Sequence, residues 1–282
     1  MYMYHKYNTE FYQSQKAGGI PSAKKIAPLI NEKIHPKSII DIGCGVGCFI
    51  YAFHELDNSI DYIGVDGDYL DTDLLLFDKK YFVPLNLEDR IIIQRKYDLA
   101  ISLEVAEHLS HNRAESFVND LTNLSDVILF SAAIPNQGNG AVNHINEQPM
   151  DYWISLFKKN GYVAIDYVRP LIHTDKDVGL CYRNNCLVFV RKGTIDYNSI
   201  FEGCNMDEEI DTISIHPELK WLMKYEEVIS MIEKNPSIKK NIGFYCLSED
   251  YTCIKRNRII CFLSKPYNSF KKLKNSFTKR EG

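Results

Sequence analysis

The chain reads as an α/β protein with a mostly parallel seven-stranded sheet, an antiparallel pair at one edge and a helical extension at the C-terminus. Short apolar runs alternate with segments of helical spacing between residues 38 and 161, the pattern of parallel strands joined by crossover helices on both faces. The last two apolar runs, 162–170 and 185–192, have no helix between them and so pair antiparallel. A glycine-rich turn, "IIDIGCGVGCF" (39–49), joins the first strand to the helix that follows it.

Residues 1–20 form a polar, aromatic lead-in, and "PSAKKIAPLINEKI" (21–34) has helical spacing with Pro21 near its start. "SIIDIG" (38–43) is a short buried strand, and "CGVGCFIYAFHEL" runs from glycines into a helix. "DYIGVD" (61–66) is the second strand, "KKYFVPLNL" (79–87) a weaker third and "YDLAISL" (97–103) the fourth. A helix over "AEHLSHNRAESFVNDLTNL" follows, then a fifth strand, "DVILFSAAI" (126–134). "PMDYWISLFKKNG" (149–161) is a helix that ends on a glycine C-cap. The pattern changes at Gly193, which divides the chain into a domain over 1–192 and an extension over 193–282. One helix, "PELKWLMKYEEVISMIEK" (217–234), stands out in that extension, which ends in a basic tail.

The bulk properties exclude several classes. A length of 282 residues suits one large domain, or one domain with a smaller appendage. The net charge of −4 carries no global nucleic-acid signature and gives no reason to expect DNA binding. Eight cysteines occur without a CxxC pair, and the polar start lacks the basic-then-apolar form of a cleavable signal. They read as reduced thiols in a cytoplasmic protein. No apolar run is long enough to span a bilayer.

Gly43, Gly45 and Gly47 permit a sharp turn and close approach of a ligand to the backbone, and the helix start that follows offers free N–H donors. A tight strand-to-helix turn would use the same glycines. Asp41 precedes the loop, and the second strand ends in Asp66, where a carboxylate can grip a ribose diol. The spacing is GxGxG rather than the dinucleotide GxGxxG. With these motifs, residues 20–192 resemble the class I S-adenosylmethionine-dependent methyltransferases, which have a Rossmann-like fold. The resemblance implies that the "DIGCGVG" loop holds the methionine and ribose part of the cofactor and that Asp66 binds the ribose hydroxyls. In "PLNLEDRI", Asn86 takes the place of the usual acid near the adenine. Leu87 and Leu103 complete the expected cofactor contacts.

"SLEVAEHL" (102–109) places Glu104, Glu107 and His108 where the fourth strand ends. Positions i, i+3 and i+4 share one face of a helix. A divalent cation would cancel the repulsion of the two carboxylates. The loop after the fifth strand carries His144 and, three residues on, Glu147. ExxEH followed by HxxE resembles the metal-using O-methyltransferases that include the ubiquinone-pathway and small-RNA 2′-O-methyltransferases. That resemblance implies Glu104, Glu107, His108 and His144 as ligands of Mg²⁺, Mn²⁺, Co²⁺ or Zn²⁺. Mixed oxygen and nitrogen donors suit Mg²⁺ least. It also implies His144, His108 and Glu107 as the catalytic group. In a metal-free reading of the same residues, a glutamate caps the helix, His108 touches cofactor or substrate, and His144 is a lone general base. Purely structural roles are the third reading.

The implied activity is methylation of a hydroxyl on a small molecule or glycan. "CYRNNCLVFVRK" followed by "SIHPEL" resembles bacterial methyltransferases that accompany glycosyltransferases in surface-polysaccharide biosynthesis. Tyr152, Trp153, Tyr182, Arg183 and Asn184 are the residues offered for a sugar, although Trp153 also lies at core spacing with Leu156 and Phe157. An RNA acceptor is disfavoured by the negative charge and the lack of an arginine-rich stripe. The non-enzyme alternative is a scaffold that keeps the fold without turnover. In the tail, Phe270, Leu273 and Phe277 recur at helical spacing among lysines. That pattern reads as a packed, solvated helix or as a weak contact with the inner face of a membrane.

Overall fold

The computed structural model describes residues 9–137 and 143–219, with side chains from Tyr12 onward. The chain divides into two units, Met1–Met223 and Lys224–Gly282. The basic tail, and the helix expected over 217–234 beyond Leu219, lie outside the described residues. None of the described helices is long and apolar enough to cross a membrane.

The elements run in the order α1 (Thr9–Ile34), β1 (Ser38–Ile42), α2 (Cys48–Leu56), β2 (Asp61–Asp66), β3 (Phe82–Pro84), β4 (Leu99–Leu103), α3 (Ala114–Leu124), β5 (Val127–Ser131), α4 (Met150–Lys159), β6 (Tyr162–Asp166), α5 (Val168–Ile172), α6 (Leu180–Asn185), β7 (Leu187–Arg191), α7 (Tyr197–Ile200) and β8 (Asn205–Met206). The sheet order is β3-β2-β1-β4-β5-β7-β6-β8. Strands β1 to β5 pair in parallel. Strand β7 is antiparallel to both β5 and β6, and β8 is antiparallel to β6.

Among the described residues the sheet therefore has eight strands rather than seven, and the reversed strand β7 lies inside it rather than at an edge. Strand β8 has two residues, one of them asparagine, and so leaves no apolar run to read. Every residue of β1, β4, β5 and β6 is buried. Burial on both faces explains why these strands read as continuous apolar runs instead of alternating ones. On β1, Ile39 faces the layer formed with Ile26, Ile30 and Phe53 of α1 and α2. Its neighbour Ile40 faces the opposite layer, with Phe117 of α3 and Phe157 of α4.

Helix α1 starts at Thr9, well before residue 21, and holds Pro21 and Pro28 in its interior. The expected helix over 106–124 is broken into single 3-10 turns at Ala106–His108 and His111–Arg113 followed by α3. The sixth strand stops at Asp166, whose carboxylate accepts two hydrogen bonds from Arg169 of α5 at 2.8 and 2.6 Å. The segment expected to open the extension packs as part of the first unit, with Phe201, Ile210, His216 and Leu219 buried. Arg169 also donates to the carbonyls of Asn184 and Asp211, which ties that segment to α6.

Candidate functional site

The loop after β1 and the loop after β4 meet at the point where the strand order reverses, the usual place for a ligand in an open α/β sheet. Gly43 has φ +77°, and a Cβ there would lie 2.3 Å from Val105 Cγ2. Only glycine allows the two loops to approach this closely. Gly45 has φ +51°, and its N–H donates to Asp66 Oδ2 at 2.7 Å. Gly47 completes the loop, also at positive φ.

Asp66 also accepts from the Gly67 N–H at 2.7 Å and the Tyr69 hydroxyl at 3.2 Å. Burial raises its pKa, and these three donors pull it back. Asp41, on β1, is pushed up to about 8 by burial and by the neighbouring Asp66 charge. The expected acids thus sit together at the glycine loop.

Asn86 is exposed, and its amide is used locally. Its oxygen accepts from the Glu88 N–H, and its Nδ2 donates to Asp89. Leu87 and Leu103 are buried. Arg113 holds this loop from below, donating to the carbonyls of Leu87 and Asp89 at 2.9 and 2.8 Å while pairing with buried Asp120 at 2.5 Å. The Ser110 N–H and hydroxyl both donate to Glu88, which joins the loops after β3 and β4. No motif marks Arg113 or Asp120; although the two pair with each other, the loop groups they hold, at Leu87, Asp89 and Ile91, are distant in sequence.

Glu104, Glu107 and His108 do not share a helix face. Glu104 has φ +56° in the turn that leaves β4, and Glu107 and His108 follow on a 3-10 turn. The Glu104 carboxylate is taken by two amides, Gln137 Nε2 at 3.1 Å and Asn185 Nδ2 at 3.4 Å. Both amides lie far from Glu104 in sequence and were missed by motif reading. Glu104 keeps some solvent contact, yet the surrounding protein raises its pKa.

Glu107 is 0% exposed, and neither carboxylate oxygen has a hydrogen bond of normal geometry among the described residues. The N–H groups of Glu107 and Ala133 stand near enough to favour its charge. Burial, followed by the Glu104 charge, nonetheless raises its pKa well above the usual carboxylate range. The Glu107 carbonyl accepts from the N–H groups of Ile145 and Asn146 at 2.9 and 3.0 Å, which brings the loop after β5 against this turn. That loop delivers His144. One donor atom each from Glu107, His108 and His144 lies within 4.8 Å of the other two, and the two imidazoles meet edge to face at 4.7 Å. Glu104, expected as a fourth ligand, is not part of this group.

His144 Nδ1 is 2.8 Å from Glu147 Oε1, and Glu147 Oε2 accepts from the Asn136 N–H at 2.7 Å. A proton on Nδ1 then leaves Nε2 with its lone pair. The Glu147 carboxylate fixes the tautomer and orientation of the ring, as such carboxylates do for metal-binding and catalytic histidines.

Of the residues offered for a sugar, Trp153 is 2% exposed and packs on Phe130, as its core spacing suggested. Arg183 and Asn184 are buried struts: Arg183 pairs with Glu218, and the Asn184 oxygen accepts from the His216 N–H. Tyr152 and Tyr182 keep partial exposure, beside His111 and Phe49 respectively. A groove of about 420 Å³ beside α2, lined by Tyr51, His54, Tyr62 and Phe77, contains none of the expected site residues.

No protein-family model and no curated protein matches the sequence. Among solved structures, the chain is similar to a candidate O-methyltransferase from Nostoc punctiforme PCC 73102, with a TM-score of 0.50 and 14% identity. That match covers 64% of this chain and 59% of the other. An O-methyltransferase family protein from Burkholderia thailandensis gives a TM-score of 0.50 at 13% identity, covering 64% and 58%. The chain therefore spans less than two thirds of the length of either protein. What it shares with them is the α/β Rossmann-like methyltransferase fold.

Proposed function

We propose that this chain is an S-adenosylmethionine-dependent O-methyltransferase acting on a hydroxyl of a small molecule or glycan, with a divalent cation held by Glu107, His108 and His144. One observation carries the metal reading: three donor atoms converge at the reaction crevice, and one of them belongs to a fully buried carboxylate that makes no hydrogen bond of normal geometry among the described residues. A carboxylate stripped of water is costly unless something answers its charge. The donors fit Mn²⁺, Co²⁺ or Zn²⁺ better than Mg²⁺. The cofactor reading is supported by the Gly43–Gly47 loop at the switch point, with Asp66 and Asp41 beside it. The fold shared with O-methyltransferase structures is consistent with both.

In the reaction, the acceptor oxygen attacks the methyl carbon, the C–S bond breaks towards sulfur and the hydroxyl proton leaves. A divalent cation in this site supplies Lewis acidity that lowers the pKa of a hydroxyl. Glu147, which accepts from the Asn136 N–H, fixes the His144 ring. That pairing also favours a second reading, in which His144 Nε2 takes the proton directly as a general base.

The test is methyl transfer over sugar nucleotides, lipid-linked glycans and short RNAs, with and without EDTA, on protein of known metal content. Loss of turnover in EDTA and its return with Mn²⁺ supports the metal. Full turnover by metal-free protein supports His144 as the base. Failure to bind S-adenosylhomocysteine by calorimetry removes the methyltransferase reading itself.

A further inference from the structure

We infer that Gln15, on the N-terminal helix, is a cofactor-binding residue that donates from its side-chain amide to the carboxylate of the cofactor's amino-acid end. The inference rests on the S-adenosylmethionine reading above. Helix α1 precedes every motif of the site, yet it brings one amide onto the glycine loop. Gln15 Oε1 accepts from the Val46 N–H at 3.1 Å. A Cβ on Gly45 would meet Gln15 Oε1 at 2.3 Å and Nε2 at 2.5 Å. The amide therefore lies directly against Gly45, the glycine whose N–H is held by Asp66.

The two ends of this amide are used differently. The oxygen accepts from the Val46 N–H, one residue before Gly47, the N-cap of α2. The nitrogen makes no hydrogen bond among the described residues, so two N–H donors stand at the loop without an acceptor. An α-amino acid end presents a carboxylate, and an amide donor can bind it without the desolvation that a lysine would bring.

The rest of α1 holds this amide in place. Tyr12 is buried one turn before Gln15. Further on, the Ser22 hydroxyl accepts from the Gly179 N–H at 3.0 Å, and Lys25 pairs with Asp175 at 2.9 Å. Helix α1 thus spans from the glycine loop to the segment that leads into α6. Between the two anchors lie Gly18, Gly19 and Pro21, and proline leaves a carbonyl of the helix without its N–H partner.

The experiment compares two ligands on the full chain by calorimetry. S-Adenosylhomocysteine carries the amino-acid end, and 5′-methylthioadenosine lacks it. Gln15→Glu keeps an oxygen for the Val46 N–H but turns the donor into a second carboxylate. It should lower S-adenosylhomocysteine affinity roughly 10- to 100-fold, the range for a lost hydrogen bond to a charged group. Gln15→Ala should lower it about 10-fold. Methylthioadenosine affinity should stay within about twofold of wild type in both variants. Circular dichroism and thermal melts check folding, and Gln15→Ala decides the matter if Gln15→Glu does not fold. Equal loss for both ligands, or no loss for S-adenosylhomocysteine, overturns the inference while leaving the methyltransferase reading intact. A wild-type chain that binds neither ligand overturns both.

Discussion

Replacing Glu107 by leucine should stabilise the metal-free protein while destroying its activity. Glu107 is 0% exposed, and among the described residues neither of its oxygens has a hydrogen bond of normal geometry. A buried polar group without partners costs about 1–3 kcal/mol, and leucine at the same place adds apolar burial instead. For a domain of this size, each kcal/mol moves the melting temperature by roughly 2–4 °C. The Glu107→Leu variant in EDTA should therefore melt about 2–12 °C above wild type, the usual direction of a stability–activity trade. Mn²⁺ at a thousand times its Kd should stabilise wild type by about 4 kcal/mol and raise its melting temperature. The variant should show little or none of that shift. Differential scanning fluorimetry with and without Mn²⁺, paired with a methyl-transfer assay, reads all three quantities. A variant that melts below wild type in EDTA would show that the carboxylate is satisfied in the native protein. An undiminished Mn²⁺ shift would place the cation elsewhere.

Three further outcomes test the frame around the site. Asp41, with its folded pKa raised to about 8 against an unfolded value of 3.8, binds more protons in the native state between those pH values. Stability should therefore fall as pH rises from about 4 to 8, and Asp41→Asn should flatten the slope; urea midpoints across that range check it, and an unchanged slope refutes it. Gly43→Ala should cost about 2 kcal/mol or more, from strain at φ +77° and the 2.3 Å approach to Val105. Val105→Ala in the same chain should recover part of that loss, which a double-mutant cycle measures. Arg113→Met should destabilise by about 3 kcal/mol or more, because it releases the Leu87 and Asp89 carbonyls and removes a buried partner of Asp120; denaturant titration would show it, and a loss under 1 kcal/mol would mean that Arg90 alone suffices.

The strands and the glycine loop were legible because local chemistry determines them. Buried strands need unbroken apolar runs, and residues at positive φ need glycine. Helix α1 was half-legible: residues 1–20 read as a polar, aromatic lead-in and Pro21 as the start of a helix, but Tyr12 and Gln15 find tertiary partners that carry the helix back past Pro21. "SLEVAEHL" misled for a related reason. Its helical spacing is real in the sequence, but Glu104 turns left-handed as it leaves β4, and the shared face disappears. What survives is the adjacency of Glu107 and His108 on a single turn. His144 joins them only because two N–H groups of its loop meet the Glu107 carbonyl, a bond with no local signature. The two glutamates that looked equivalent in sequence are made unequal by residues far from either. Gln137 and Asn185 answer the Glu104 carboxylate with amide donors, while no well-formed hydrogen bond answers Glu107. Like charges this close are tolerated when their surroundings separate their roles. A cation at this site would therefore answer Glu107 with its two histidines, rather than the pair of glutamates that the spacing in "SLEVAEHL" suggested.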